Sequence, residues 1–294
     1  MLVVTLIANP ANPILTSDLA HSAQQALGAT ALYWLADGIA CDIVLADEMS
    51  ATEAMQFLDI ALGTLPIDRV VQEADQRRKT LLIADMDSTM IGQECIDELA
   101  DVAGLKEYVS AITARAMNGE IPFESALRER VALLKGLPAN VVGEVIAERI
   151  TLTPGGKELI ATMKANGSYT ALVSGGFTSF TNPIAAMLGF DENQANILLE
   201  ENDVFSGLVA EPILGKQAKA DALMSISSRL GITPLDAIAV GDGANDLAMI
   251  EMAGSGVALH AKPSVAAQAK HRINHGDLTA LLYMQGYRKS DFVV

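Results

Sequence analysis

The chain has 294 residues, 50% of them hydrophobic, and a formal net charge of −16 at pH 7, so it can bury the core of more than one domain. No cluster of Lys and Arg offsets the negative charge, which would repel nucleic acids and anionic membranes. Neither is therefore expected to be a partner. The apolar runs fall short of the roughly 20 residues that span a bilayer, and the only cysteines are Cys41 and Cys95, which favours a reduced cytoplasmic protein without disulfides.

Residues 1–75 have the pattern of a small α/β domain. Strand-like and helix-like periodicities alternate, and Asp37-Gly38 supplies a turn signal inside a hairpin. The predicted elements are a strand Leu2–Ile7, a helix Ser17–Leu27, the hairpin Ala31–Leu45, a helix Ala51–Leu62 and a strand Arg69–Gln72. The polar stretch 73–79 (EADQRRK) has no apolar periodicity and is predicted to be a linker.

Residues 80–294 are predicted to form a second, larger α/β domain. Three short apolar strands, each followed by polar or glycine-rich sequence, alternate with helical segments, which indicates a doubly wound parallel sheet. The strands are LLIA within residues 80–84, Thr170–Val173 and Ala237–Val240, and the clearest helices are Gly155–Asn166 and Ala218–Leu230. Ligands of such sheets bind beyond the carboxyl ends of the strands, so the three polar strand ends are expected to converge.

About 80 residues separate the first two of these strands, which is too long for a simple crossover connection. They contain helical patterns but no strand signal, and a helical cap inserted at about 94–150 accounts for them. The predicted cap helices are Glu94–Ala103, Tyr108–Asn118, Phe123–Lys135 and Ala139–Ile150.

The segment DMDST, residues 85–89, places Asp85 and Asp87 just beyond the first buried strand. Two carboxylates two positions apart on a turn suit two different tasks, nucleophilic attack on phosphorus and proton delivery to the leaving oxygen. The plainer interpretation of this segment alone is a helix N-cap with a spare acid.

The second strand ends in Ser174-Gly175-Gly176. A hydroxyl and unhindered backbone N–H groups there could hold phosphate oxygens, although glycine-rich strand ends are commonly only turns. Lys216 and Lys219 precede the third strand, where a lysine could supply positive charge, but a surface position is the usual fate of a lysine.

The third strand is followed by GDGAND, residues 241–246. Asp242, Asn245 and Asp246 offer three polar side chains within five positions, and the two glycines are expected to loosen the turn. Carboxylate oxygens suit Mg²⁺. An ordinary Asp-Gly turn is the alternative for this stretch taken alone.

Taken together and in this order, DMDST, SGG, a lysine and GDGAND resemble the four motifs of the haloacid dehalogenase superfamily over residues 80 to about 285. The resemblance implies that Asp85 is the nucleophile that becomes an aspartyl-phosphate and that Asp87 is the general acid and base. It assigns the phosphate to Ser174 and Gly175, and matches the motif lysine to Lys219 better than to Lys216.

The same resemblance implies a Mg²⁺ cofactor. The side chains of Asp85 and Asp242 and the backbone carbonyl of Asp87 would hold the ion. Asp246 would act from a second layer, by orienting a metal-bound water, and Asn245 would lie near the phosphate.

Within the superfamily, the stretches DMDSTMIGQE, FESALRERVALLKGL and AVGDGAND resemble phosphoserine phosphatases, which carry out the last step of serine biosynthesis. The expected substrate is therefore O-phosphoserine, with Glu94 on its ammonium group, Arg130 on its carboxylate, and Met117 and Phe123 in the pocket wall. The alternatives are that Glu94 and Arg130 form a structural ion pair or point into solvent, and that Met117 and Phe123 are simple cap core.

Other functions remain open at this point. The enzyme could hydrolyse another small phosphomonoester or transfer the phosphoryl group to an alcohol, and a receiver-like phosphoacceptor module uses similar acids without being an enzyme. A receiver has about 120 residues and no inserted cap, which argues against it. Residues 1–75 resemble ACT-like regulatory modules in element order only, and could instead serve dimerisation, giving a homodimer through the N-terminal domain.

Overall fold

The computed structural model describes residues 1–46, 49–117 and 120–294, and of Met117 only the backbone. Within these ranges lie a four-stranded antiparallel sheet, here called the N-terminal sheet, and a six-stranded parallel sheet, here called the central sheet. A separate two-stranded hairpin accompanies them. No helix in the described ranges is both long enough and apolar enough to cross a membrane.

The N-terminal sheet has the predicted βαββαβ order. Its elements are β1 (Leu2–Ala8), α1 (Ser17–Ala26), β2 (Ala31–Ala36), β3 (Ala40–Val44), α2 (Ala51–Leu62) and β4 (Ile67–Glu73). The strands lie in the order β2-β3-β1-β4. Both helices begin at side-chain caps, at Thr16 for α1 and at a capping box of Ser50 and Glu53 for α2, which satisfies N–H groups that a helix start leaves unbonded.

The central sheet confirms the predicted doubly wound parallel fold, with strands in the order β12-β11-β10-β5-β6-β7. The strands of this part of the chain, including the separate hairpin β8–β9, are β5 (Leu81–Ala84), β6 (Tyr169–Phe177), β7 (Glu192–Asn196), β8 (Leu198–Glu201), β9 (Val204–Val209), β10 (Ala237–Gly241), β11 (Ser255–Leu259) and β12 (His271–Ile273). The helices are α3 (Cys95–Val102), α4 (Lys106–Met117), α5 (Phe123–Ala132), α6 (Val141–Glu148), α7 (Gly156–Ala165), α8 (Thr178–Leu188), α9 (Lys216–Leu230), α10 (Leu247–Met252), α11 (Pro263–Ala266) and α12 (Ala280–Met284), with 3₁₀ turns at Pro234–Asp236 and Lys289–Asp291.

The central sheet is covered on both faces because alternate residues of each strand point to opposite sides. In β5, Leu81 and Ile83 join one hydrophobic cluster with residues of α9 and α10. Leu82 and Ala84 join another cluster with residues of α7, α8 and α12. Such burial on both faces explains why β5 is a continuous apolar run in the sequence.

The predicted cap helices correspond to α3–α6, although the predicted end at Asn118 lies outside the described residues. The structure adds an element that the sequence reading missed, the hairpin β8–β9, which packs against α5 and the segment after it. The backbone N–H of Gly136 donates to the carbonyl of Phe205 at 2.8 Å, and that of Phe205 to the carbonyl of Leu137 at 2.9 Å. The division into domains at residues 75–80 and the cap limits at 94–150 stay predictions.

The N-terminal sheet packs on the C-terminal part of the chain through buried polar contacts. The Asp68 carboxylate of β4 accepts backbone N–H bonds from Asn274 at 2.7 Å and from Gly276 at 2.7 Å. The Gln72 amide donates to the carbonyl of Met284 at 2.6 Å. The predicted linker contains neither helix nor strand after Glu73, which ends β4.

His271, the first residue of β12, makes stability depend on pH. It is 3% exposed, and burial, followed by the charges of Lys270 and Lys79, lowers its pKa to about 4. The unfolded chain therefore takes up this proton first, and the fold loses stability as the pH falls below about 6.5.

We expect His271→Leu to remove this pH dependence. Lowering the pH from about 7.5 to about 5 should cost the wild type about 2 kcal/mol more of its unfolding free energy than it costs the variant. Urea titrations of both proteins at the two pH values measure this difference. Buried acids contribute equally to the wild type and the variant, so their effect cancels in the comparison. Equal losses in the two proteins would contradict this assignment.

Candidate active site

The ends of three central strands bring the predicted site residues together. Parallel pairing places Ala84 opposite Val240 of β10 and opposite Leu172 of β6. Asp85 therefore lies beside the segments that carry Asp242 and Ser174, since Asp242 lies two residues beyond Val240 and Ser174 two residues beyond Leu172. This is the convergence that the parallel sheet predicted.

Lys219 is the cation at the centre of the site. Its side chain is 2% exposed, and its Nζ lies 2.7 Å from Asp85 Oδ1 and 2.5 Å from Asp246 Oδ1. Burial alone lowers the pKa of Lys219, but the two carboxylates raise it further than burial lowers it, so the ammonium form is held. Lys216, the alternative motif lysine, is exposed on the first turn of α9.

Asp85 is buried with its two oxygens in different surroundings. Oδ1 accepts the backbone N–H of Met86 at 2.7 Å and faces Lys219. Oδ2 accepts no hydrogen bond from the residues that the structure describes. Burial, and then the charge of Asp246, raises the pKa of Asp85 well above its usual range. The unbonded oxygen is the one available to react with a bound molecule.

Asp87 lies two residues after Asp85, on the turn that follows β5. It has the pKa expected of an acid–base residue. Oδ1 accepts the backbone N–H of Cys95 at 3.4 Å. Burial, followed by the charge of Glu94, raises the pKa of Asp87 to about 7. A carboxyl group with such a pKa is able to donate and to accept a proton near neutral pH.

Ser174 and the glycines after it form a compact loop against Asp87. Ser174 Oγ accepts the backbone N–H of Gly176 at 2.8 Å, which leaves the hydroxyl proton free to donate elsewhere. A Cβ at Gly176 would lie 3.0 Å from Ser174 Oγ and 3.2 Å from Asp87 Oδ2. A side chain at position 176 would therefore push these two groups apart.

The glycines of GDGAND serve close packing, and the expectation that they loosen the turn is wrong. A Cβ on Gly241 would approach the Asp246 carboxylate carbon, and one on Gly243 would approach Asn245 Oδ1, in both cases within 2.3 Å. Neither glycine has a positive φ. The backbone is bare here so that Asp246 and Asn245 can fold back over it.

Asp85, Asp242 and Asp246 form an acidic cluster in which one carboxylate oxygen of each lies within 4.8 Å of the others. Burial, and then the charge of Asp246, raises the pKa of Asp242 to about 6. Both oxygens of Asp246 already have donors, Lys219 on Oδ1 and the Gly243 N–H on Oδ2 at 2.9 Å. Asp85 and Asp242 keep more freedom to bind a cation directly.

The cap contributes Phe123 and Arg130 from α5. The Phe123 ring lies against Gly175 of β6 and against Gly215. Arg130 is partly buried and forms no ion pair in the described ranges; its weak contacts are from Nε to the Ala126 carbonyl at 3.3 Å and from Nη1 to Thr113 Oγ1 at 3.4 Å.

The charges nearest Arg130 are acidic. Asp97, Glu94 and Asp87 act on its guanidinium, while burial, the largest effect, lowers the pKa of Arg130. Glu94 accepts a hydrogen bond from Ser88 Oγ at 2.7 Å, and no ion pair joins it to Arg130 in the described ranges. Glu94 is exposed, which fits the alternative that its side chain points into solvent. The side chain of Met117 lies outside what the structure describes.

Asn196, at the end of β7, was missed by the sequence reading. It is 2% exposed, and its Nδ2 donates to the carbonyls of Gly175 at 2.9 Å and Leu214 at 3.3 Å. Its Oδ1 accepts the N–H of Leu214 at 2.7 Å. Asn196 thus ties the Ser174 loop to the segment that leads into α9 and Lys219. An asparagine inside a strand, where the residue is normally depleted, was the available signal.

Comparison with known proteins gives a consistent family. The family model described as haloacid dehalogenase-like hydrolase matches residues 82–251. A phosphoserine phosphatase of Haemophilus influenzae (strain Rd) is 48% identical over 202 residues, which cover 69% of this chain and 64% of that protein. The match thus spans slightly less than two thirds of that relative's length.

Two solved structures are similar to this chain over different shares of its length. A haloacid dehalogenase family hydrolase of Salmonella enterica serovar Typhi has a TM-score of 0.85 at 30% identity, covering 97% of this chain and 98% of that one. A phospho-aspartyl intermediate analogue of a phosphoserine phosphatase has a TM-score of 0.65 at 42% identity. This match covers 98% of the phosphoserine phosphatase chain but only 70% of the present chain.

We expect Asn196→Ala to lower kcat for phosphomonoester hydrolysis by about 10-fold to 100-fold, roughly 1.4–3 kcal/mol. The reason is that the Ser174 loop and the start of α9 lose their common anchor. Asn193→Ala is the matched control, because Asn193 lies on the same strand and bonds Thr181 Oγ1 away from the site. Steady-state kinetics and thermal melting of both variants measure the effect. A lower melting temperature with unchanged kcat in Asn196→Ala would show a purely structural role.

Proposed function

This chain belongs to the haloacid dehalogenase-like hydrolase family, and we propose that it hydrolyses O-phosphoserine to serine and inorganic phosphate. One observation carries the proposal: Asp87, the acid–base candidate beside Asp85, lies within electrostatic reach of both Glu94 and Arg130. A substrate with its phosphate at Asp85 would place an ammonium and a carboxylate toward the cap. The phosphoserine phosphatases among its relatives support the same substrate.

Asp85 is the nucleophile in the proposed reaction. Its unbonded Oδ2 attacks phosphorus and forms an aspartyl-phosphate, while the bond from phosphorus to the serine oxygen breaks. Lys219 holds Oδ1 at 2.7 Å and so fixes the carboxylate plane. Its positive charge also offsets the negative charge that collects at the site as the phosphate arrives.

Asp87 moves the protons in both halves of the reaction. In its protonated form it donates to the serine oxygen as that oxygen leaves. The resulting carboxylate then accepts a proton from a water molecule that attacks phosphorus, which breaks the Asp85–phosphorus bond and releases phosphate. A pKa of about 7 lets the same group serve both steps without a second residue.

Ser174 and Gly175 bind the phosphate oxygens in this proposal. The Ser174 hydroxyl is free to donate because its oxygen accepts from Gly176, and the Asn196 amide holds the Gly175 carbonyl in place. Asn245 lies beside Gly243, at the edge of the same space. Oriented donors of this kind stabilise charge that develops on phosphoryl oxygens.

The residues present also fit a Mg²⁺ ion. Three clustered carboxylates and one ammonium leave two negative charges, which a divalent cation balances, and every donor is a hard oxygen atom. Asp85 and Asp242 would bind it through their side chains and Asp87 through its backbone carbonyl, with Asp246 acting indirectly. When bound, Mg²⁺ supplies positive charge to the phosphate oxygens.

The cap supplies selectivity for the amino acid. Arg130 has no competing carboxylate partner in the described ranges, so its guanidinium can bind the substrate carboxylate in a planar, bidentate manner. Glu94 is within reach of the ammonium group. Phe123, and Met117 at the end of α4, would close the wall of the pocket above the Ser174 loop.

Two further features belong to the proposal without bearing on the chemistry. Cys41 and Cys95 are both buried and unpaired, which supports a reducing, cytoplasmic setting.

The edge strand β2 leaves Tyr33 55% exposed, which supports a homodimer formed through the N-terminal sheet. Light scattering of the full chain would detect the dimer.

The test uses phosphoserine and phosphoethanolamine, which lacks the carboxylate, with and without Mg²⁺. We expect Mg²⁺-dependent turnover with a clear preference for phosphoserine. Arg130→Ala should cost roughly 2–5 kcal/mol in kcat/KM for phosphoserine, as for removing one partner of a buried charge pair, and much less for phosphoethanolamine.

Arg128→Ala is the matched control, since Arg128 lies on the same helix but pairs with Glu211 at the surface. It should change neither value by more than about 1 kcal/mol. If Arg130→Ala weakens both substrates equally, the arginine stabilises the cap and does not select the substrate. If wild-type protein turns over phosphoserine no better than phosphoethanolamine, the proposed substrate is wrong.

A further inference from the structure

A second cavity lies away from the active site, where β4 of the N-terminal sheet meets β12 of the central sheet. It has a volume of about 640 Å³ and is lined by α2, the turn at 63–65, β4 and residues 270–275. None of the residues proposed for catalysis belongs to its lining. Its size lies within the range of about 300–1,000 Å³ that small-molecule sites occupy. We call it the inter-sheet cleft.

The inter-sheet cleft is rich in basic side chains although the chain carries a net charge of −16. Arg69, Lys270, His271, Arg272 and His275 all line it. Lys270 and Arg272 are exposed and alternate with buried neighbours along β12, so they lie on one face of that strand. Neither forms an ion pair anywhere in the described ranges. Their charge is available to a bound anion.

The acidic residues of the lining are already bonded. Asp59 accepts from Arg69 Nη1 at 2.6 Å. Asp68 accepts the backbone N–H groups of Asn274 and Gly276, both at 2.7 Å. Asp59 is balanced by Arg69, whereas Asp68 keeps its negative charge, so the arginines and lysine of the lining exceed its carboxylates by one positive charge.

Two buried nitrogens in the lining have no hydrogen-bond partner among the described residues. These are His271 Nε2, in a side chain that is 3% exposed, and Arg69 Nε. Neither atom is accessible from the cleft, so a ligand bound there reaches them only through a movement of the side chain. The first turn of α2, with Ala51 and Thr52, also lines the cleft.

We propose that the inter-sheet cleft is a second binding site, for a small anion that carries carboxylate or phosphate groups. Arg272 and Lys270 bind its charged groups, and Arg69 and the start of α2 line the cleft around it. The ligand touches both sheets at once. Its binding therefore stabilises the packing of the N-terminal sheet on the central sheet, a contact that already depends on Asp68.

Isothermal titration calorimetry of the full chain with succinate and with orthophosphate tests the proposal. Orthophosphate also binds the active site, so the informative signal is the binding event that disappears in Lys270→Gln/Arg272→Gln. We expect the double variant to lose at least about tenfold in affinity for one or both probes at this event. Loss with succinate alone identifies carboxylate recognition, and loss of one of two orthophosphate events identifies phosphate recognition.

Lys157→Gln/Lys262→Gln is the matched control, because it removes the same charge from two exposed lysines outside the lining. It should bind both probes as the wild type does. Hydrogen exchange provides an independent reading, since a bound probe should slow exchange of the amides of Asn274 and Gly276. The proposal is overturned if no binding event distinguishes the double variant from the control, or if these amides exchange at the same rate with and without the probe.

Discussion

The site depends on one buried lysine between two buried carboxylates. Lys219 lies within 2.7 Å of Asp85 and Asp246, and all three side chains are at most 6% exposed. Removing one partner from such a group leaves an uncompensated buried charge, which is strongly destabilising. With Asp242 nearby, the carboxylates still outnumber the cation by two, so the geometry that anchors Asp85, the proposed nucleophile, also leaves a negative charge that a divalent cation would balance.

The supporting structure serves this arrangement in two separate ways. The strands β5, β6 and β10 fix the acids and the Ser174 loop at one edge of the central sheet, and Asn196 ties that loop to the start of α9. The N-terminal sheet packs elsewhere, on Gly276 and Met284. A solved phosphoserine phosphatase matches 70% of this chain, and the match covers 98% of the solved protein. This fits a catalytic unit that does not include the N-terminal sheet.

Patterns local in sequence were predictable, and choices that depend on distant packing were not. The helix Ala51–Leu62 and the convergence of strand ends followed from periodicity and sheet topology. Lys216 and Lys219 are three residues apart on one helix, so only the packing of α9 against β5 separates an exposed lysine from a buried one. The hairpin β8–β9 was missed although Asn202-Asp203, both with positive φ, form the kind of two-residue turn that marks a hairpin.

The central claim is that Asp85 carries the phosphoryl group, and intact-mass spectrometry of Asp87→Asn mixed with phosphoserine and Mg²⁺ tests it most directly. This variant keeps the nucleophile but loses the acid of the first step and the base of the second, so both steps slow. Because the adduct can then no longer be hydrolysed rapidly, one phosphoryl group per chain should become detectable, and peptide mapping should place it on Asp85. Asp85→Asn should form no adduct and release no phosphate. Serine release by Asp85→Asn, or turnover by wild type and Asp87→Asn with no adduct in either, would contradict the covalent mechanism and favour direct attack by water.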